Sequence, residues 1–107
     1  MSLRIDHLVY AVGDLDAAAA RFDETYGLAA TPGGVHPRWG TGNRIVALGG
    51  DRYLELIAIV DPSVAATTVL GRAIAERTEG GDRWFALCLG DDAIVSTVAY
   101  FKRASGA

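Results

Sequence analysis

Apolar and polar residues alternate along Leu3–Val12, a stretch rich in Ile, Val and Tyr, and that period of two predicts a strand. Ile5, His7, Val9 and Ala11 share one of its faces. Gly13-Asp14 ends the alternation, and over Asp14–Tyr26 the period becomes helical. Leu15, Ala18, Ala19, Phe22 and Tyr26 fall on one side, Asp14 is placed to cap the start and Gly27 the end. Leu28–Thr31 suits a short strand that Pro32-Gly33-Gly34 stops, and Val35–Asn43 is polar, glycine-rich and aromatic, as a loop is. Arg44–Leu48 and Tyr53–Val60 predict two strands joined as a hairpin by Gly49-Gly50-Asp51-Arg52. After the stop at Asp61-Pro62 come a connecting helix over Thr68–Arg77, weakened by Gly71, and a turn over Glu79–Asp82. A buried strand over Trp84–Leu89 follows. Asp91 or Asp92 then caps a last helix that puts Ile94, Val98 and Phe101 on one side and ends at Gly106.

The opening arrangement repeats. Strand, Val12-Gly13-Asp14 and helix recur as strand, Leu89-Gly90-Asp91 and helix. The first copy continues into three more strands, whereas the second stops after its helix. Residues 1–60 thus read as a complete βαβββ module, 61–83 as a helical connector, and 84–107 as the start of a truncated second module, all within one domain. A four-stranded sheet with one helix leaves an apolar face and free edges that something must cover.

Two polar residues interrupt this apolar pattern. His7 stands in the middle of the first strand, and Glu55 lies inside the run Tyr53–Val60, on the face it shares with Tyr53, Ile57 and Ile59. A carboxylate in such a run is costly to bury unless it is paired, hydrogen-bonded or bound to a metal. Pairing with an arginine such as Arg44 is one solution, and meeting His7 at a shared site is another.

Composition narrows the field. The 107 residues are half hydrophobic and 21% charged, as in an ordinary globular domain. The net charge of −3 is scattered, with no basic stripe, which argues against nucleic-acid or anionic-membrane partners. Cys88 is the single cysteine, so no internal disulfide can form; in its apolar run it reads as a small buried hydrophobe. No apolar run is long enough for a membrane span and no signal peptide is visible, so a cytoplasmic protein is expected. Gly33-Gly34 and Gly40-Thr41-Gly42 lack a phosphate-loop pattern, and no organic cofactor is expected.

Three stretches together resemble the glyoxalase-like domain family of the vicinal oxygen chelate superfamily, which also holds glyoxalases, bleomycin-resistance proteins and extradiol dioxygenases. They are IDHLVYAVGDLDAAAARF at 5–22, HPRWGTGNRIVALGGDRYLELI at 36–57 and LGRAIAERTEGGDRWFALCLGDD at 70–92. The resemblance implies an α+β fold: a βαβββ module plus a partial second βα module, forming a curved mixed sheet with helices on one face. It implies a divalent ion (Fe, Mn, Zn or Ni) in a cleft, with His7 and Glu55 at the ligand positions and substrate oxygens completing the shell. His36, Arg38, Trp39, Asn43 and Arg44 would line the cleft mouth and bind substrate, the arginines meeting an anionic group and Trp39 an apolar body. Glu55 would be the catalytic proton carrier.

The sequence departs from the family at Trp84-Phe85-Ala86, where a second histidine is expected. One chain then offers at most two ligands, too few for a metal site, so either a second copy contributes its own His7 and Glu55 or no metal is tightly bound; a homodimer that completes the curved sheet is expected, with strands exchanged or not. The implied functions are a metal-dependent lyase, isomerase or dioxygenase-like enzyme acting on a small oxygenated molecule. The alternatives are a resistance-type binding protein without turnover, or a non-catalytic assembly module.

Overall fold

The computed structural model describes residues 4–90 and 97–100. The first module is built as the sequence pattern demands. Strand β1 (Arg4–Ala11) leads into helix α1 (Leu15–Tyr26), and strands β2 (Ala30–His36), β3 (Thr41–Gly49) and β4 (Arg52–Ile59) follow. The Asp14 side chain accepts from the Ala17 N–H at the start of α1. Gly27, at φ 67°, closes the helix in the left-handed conformation that glycine adopts without strain. Helices α2 (Pro62–Ala65) and α3 (Val69–Arg77) lead to β5 (Arg83–Gly90) and β6 (Thr97–Tyr100).

The strands form one mixed sheet in the order β2-β3-β4-β1-β5-β6, with β1 parallel to β4 and the other pairs antiparallel. The fold is α+β and opens with a βαβββ unit. The last helix is corrected in part. Thr97–Tyr100 pairs with β5 as a strand, which suits the β-branched and aromatic residues of TVAY, and the rest of that expected helix lies outside the described residues.

Helices lie on both faces of the sheet, where one face was expected. Ala18 and Phe22 of α1 pack with Val12, Val46, Leu54, Leu56 and Ala58. Ile74 of α3 packs with Val9, Ala11, Ile57, Phe85, Ala86 and Cys88, the alternate residues of the same strands. Within the connector α2 and α3 meet closely at Gly71, where a Cβ would stand 2.3 Å from the Ala65 carbonyl oxygen. Gly71 is therefore a packing requirement more than a weakness of the helix.

Strand β2 also runs farther than expected, straight through Pro32-Gly33-Gly34. It lies at the edge of the sheet, where a missing N–H is tolerated, and its pairing with β3 slips between Pro32 and Val35. The loop expected over Val35–Asn43 shrinks to a turn that Gly40 closes at φ 70°.

Candidate functional site

The α3 face is covered along only part of its length. Midway along β1 and β4 it presents His7 and Glu55, whose side chains are each 16% exposed. The register that sets His7 beside Tyr53 and Val9 beside Glu55 brings His7 Nε2 to 3.7 Å from Glu55 Oε1. That gap is too long for a direct hydrogen bond.

Asp6 lies behind His7. In a regular strand it would point to the opposite face, but the β1–β5 pairing slips between Ile5 and His7, and the Asp6 carboxylate turns to within 2.8 Å of His7 Nδ1. A carboxylate only accepts, so Nδ1 carries the proton, and in the neutral ring Nε2 holds a free lone pair. The ring stacks on Tyr53 at 4.5 Å and 6°.

On the other side of the gap, Asn43 Nδ2 donates to Glu55 Oε2 at 2.8 Å and lies 3.3 Å from His36 Nε2. Glu55 thus has one oxygen committed and the other facing His7. Burial pushes the Tyr53 hydroxyl and the Cys88 thiol above their ordinary values, and the Asp6 and Glu55 carboxylates push both in the same direction.

His7, Glu55, Asn43 and His36 are therefore linked in one constellation. Trp39 stands at its rim, 46% exposed and 5.5 Å from the His36 ring. Arg38 is exposed in the same turn and makes no hydrogen bond or ion pair among the described residues. Arg44 is elsewhere. It follows Asn43 on β3, so it points to the α1 face and pairs with Asp16. Its partner is Asp16, not Glu55. Asp6, Tyr53 and Cys88 border the site although the sequence did not nominate them. Tyr53 shares the Glu55 face by simple alternation, Cys88 is paired opposite His7, and Asp6 arrives only through the bulge.

The donor chemistry fits the beginning of a metal site. His7 shows the carboxylate–histidine arrangement that orients a ligand, and two bonds of about 2.1 Å can span the gap to Glu55. Among the described residues no group of three or more His, Cys, Asp or Glu side chains is placed to hold a metal ion, so His7 and Glu55 offer two ligands at most. A groove of about 510 Å³ at the far end of the face, lined by Ile59, Ala65, Arg72 and Glu76 among others, contains none of the site residues.

The profile of the glyoxalase-like domain matches residues 5–106. The chain belongs to the glyoxalase-like domain family. No curated protein sequence matches it. Among solved structures it is similar to methylmalonyl-CoA epimerase of Streptomyces coelicolor in complex with 2-nitronate-propionyl-CoA, at 25% identity and a TM-score of 0.66, covering 87% of this chain and 66% of that one. A methylmalonyl-CoA epimerase in complex with methylmalonyl-CoA and NH4+ gives the same identity and TM-score, covering 87% and 64%. The epimerase of Mycobacterium tuberculosis matches in fold, at 24% identity and a TM-score of 0.60, covering 78% and 51%. The chain thus spans between 51% and 66% of the length of these three enzymes. No helix among its described residues is long and apolar enough to cross a membrane.

Proposed function

We propose that this glyoxalase-like chain supplies half of an active site for proton transfer at a carbon beside a carbonyl, an isomerase-type reaction on a small acyl or oxygenated compound. The observation that carries the reading is the 3.7 Å gap between a bare imidazole nitrogen and a carboxylate oxygen on the uncovered part of the face. Of the reaction types open to the family, proton transfer is the one these side chains perform themselves. Glu55 Oε1 takes the proton, since Oε2 is held by Asn43. His7 Nε2 holds or returns it, and the charge then formed on the ring is shared with Asp6. His36 and Trp39 form the rim that orients the substrate, and Arg38 meets an anionic group on it. The similarity to enzymes crystallised with acyl-CoA compounds supports a thioester-sized ligand.

Were a divalent ion held instead, His7 Nε2 and Glu55 Oε1 would be its ligands rather than the proton carriers, and the chemistry such an ion supplies is polarisation of the substrate carbonyl. The remaining ligands would come from a second copy of the chain, so a homodimer is part of the reading and a monomer in light scattering contradicts it.

Deuterium uptake into methylmalonyl-CoA and smaller 2-oxo compounds in D2O tests the activity, with protein stripped of metal and resupplied with Co, Mn, Zn or Ni. Exchange by the wild type that falls by about 100-fold or more in Glu55→Gln is expected. No exchange with any compound, accompanied by a ligand-dependent rise in melting temperature, transfers the site to a binding protein without turnover.

A further inference from the structure

Asn43 is held from three sides. Its Oδ1 accepts from the Gly34 N–H at 2.8 Å, and its Nδ2 lies 2.8 Å from Glu55 Oε2 and 3.3 Å from His36 Nε2. A backbone N–H can only donate and a carboxylate can only accept, so the two ends of the amide are assigned independently and agree. Nδ2 can only donate, so His36 must accept at Nε2 and carry its proton on Nδ1.

The clamp depends on a glycine. A Cβ at Gly33 would stand 2.0 Å from Asn43 Oδ1 and 2.4 Å from the Asn43 carbonyl oxygen, while one at Gly34 would meet nothing within 4 Å. Neither residue has a positive φ, so the requirement at Gly33 is for space. The slip in pairing between Pro32 and Val35 lets the Gly34 N–H reach a side chain.

We infer that Asn43 is a positioning residue rather than a substrate ligand. It fixes the rotamer of Glu55, leaving only Oε1 for chemistry, and it sets the tautomer of His36. Its dependence on Gly33 makes the Pro32-Gly33-Gly34 segment part of the site's framework. The kinetic side of this inference rests on the proton-transfer reading, while the tautomer side does not.

Both sides are measurable. Gly33→Ala displaces Asn43 without touching Glu55, and Asn43→Ala removes it. Each is expected to lower kcat for deuterium exchange by about 10- to 100-fold with KM nearly unchanged, and the double variant is expected to be no worse than Asn43→Ala. Val35→Ala, exposed on the same strand, is the control and stays at the wild-type rate. Should Gly33→Ala fail to fold, Asn43→Ala and Asn43→Asp carry the test, the latter keeping the acceptor and losing both donors. Imidazole nitrogen NMR of the wild type should show His36 protonated at Nδ1, with that preference lost in Asn43→Ala. A wild-type His36 protonated at Nε2, or variants that keep full kcat with a raised KM, would overturn the inference. If the wild type exchanges nothing, the proton-transfer reading fails alone, and the tautomer still decides the role of Asn43.

Discussion

The α1 face and the α3 face of the sheet are made by the same strands, yet they are finished differently. On the α1 face a helix of 12 residues covers Leu54, Leu56, Ala58 and Val46, and the polar pair Arg44–Asp16 sits at its margin. On the α3 face a helix of 9 residues covers Val9, Ala11, Ile57 and Phe85 and leaves the row of His7, Tyr53, Glu55 and Asn43 half-buried. At about 1.5 Å per residue, the second cover is some 4 or 5 Å shorter. The lesson is that one face is spent on cohesion, and the other divides between cohesion and the proposed chemistry. Adjacent residues such as Leu54 and Glu55, or Asn43 and Arg44, therefore have unrelated roles.

Mutations that respect this division should separate stability from activity. Leu56→Ala, at a fully buried position on the α1 face, is expected to cost about 2–5 kcal/mol in urea unfolding. At temperatures where it remains folded, its deuterium exchange should stay near that of the wild type. A loss of exchange without a loss of stability would mean that the two faces are not independent.

Asp6→Ala comes next, with the opposite signature. His7 loses the acceptor of its Nδ1 proton, and exchange or metal affinity should fall by about 10- to 100-fold. Melting should change little, since Asp6 lies outside both clusters of core residues.

Cys88 probes the boundary between the covered and uncovered parts. Its thiol is pushed up by burial first, and then by the Glu55 and Asp6 carboxylates. A raised value in the folded state contributes stability that is fully present below the unfolded thiol's value of about 8.5 and is lost as pH rises through the folded value. Unfolding titrations should therefore show stability declining above about pH 8.5, and Cys88→Ala should flatten that decline. Thiol reagents should label the native protein at least about tenfold more slowly than the unfolded chain at pH 8, and Glu55→Gln should speed the native reaction modestly.

Arg44→Ala should do the least. Its pair with Asp16 is solvent-exposed on the Asp16 side and is worth at most about 1 kcal/mol. A large loss of substrate affinity in this variant would return Arg44 to the cleft mouth and contradict its placement on the α1 face.

The first module could be read closely from the sequence because its signals are local and redundant. Asp14 caps α1, Gly27 ends it, and alternation sets His7 and Glu55 on faces that the sheet order then unites. What escaped the sequence depended on slips in pairing or on edges. Pro32-Gly33-Gly34 looks like a break, and it becomes a strand because it lies at the sheet edge and a bulge absorbs it. Asp6 is out of phase with His7 until a bulge turns it. Arg44 was grouped with its neighbours because the strand was started three residues late; begun at Thr41, alternation separates it from Asn43. The final helix failed where TVAY found the open outer edge of β5 to join.

The central claim is that His7 and Glu55 act as one unit across a 3.7 Å gap. A double-mutant cycle on the deuterium-exchange rate tests it most directly, using His7→Ala, Glu55→Gln and the two together. Residues that share one step are non-additive, so the double variant should be no slower than the slower single variant. Losses that multiply, or a single variant that exchanges at the wild-type rate, would contradict the account.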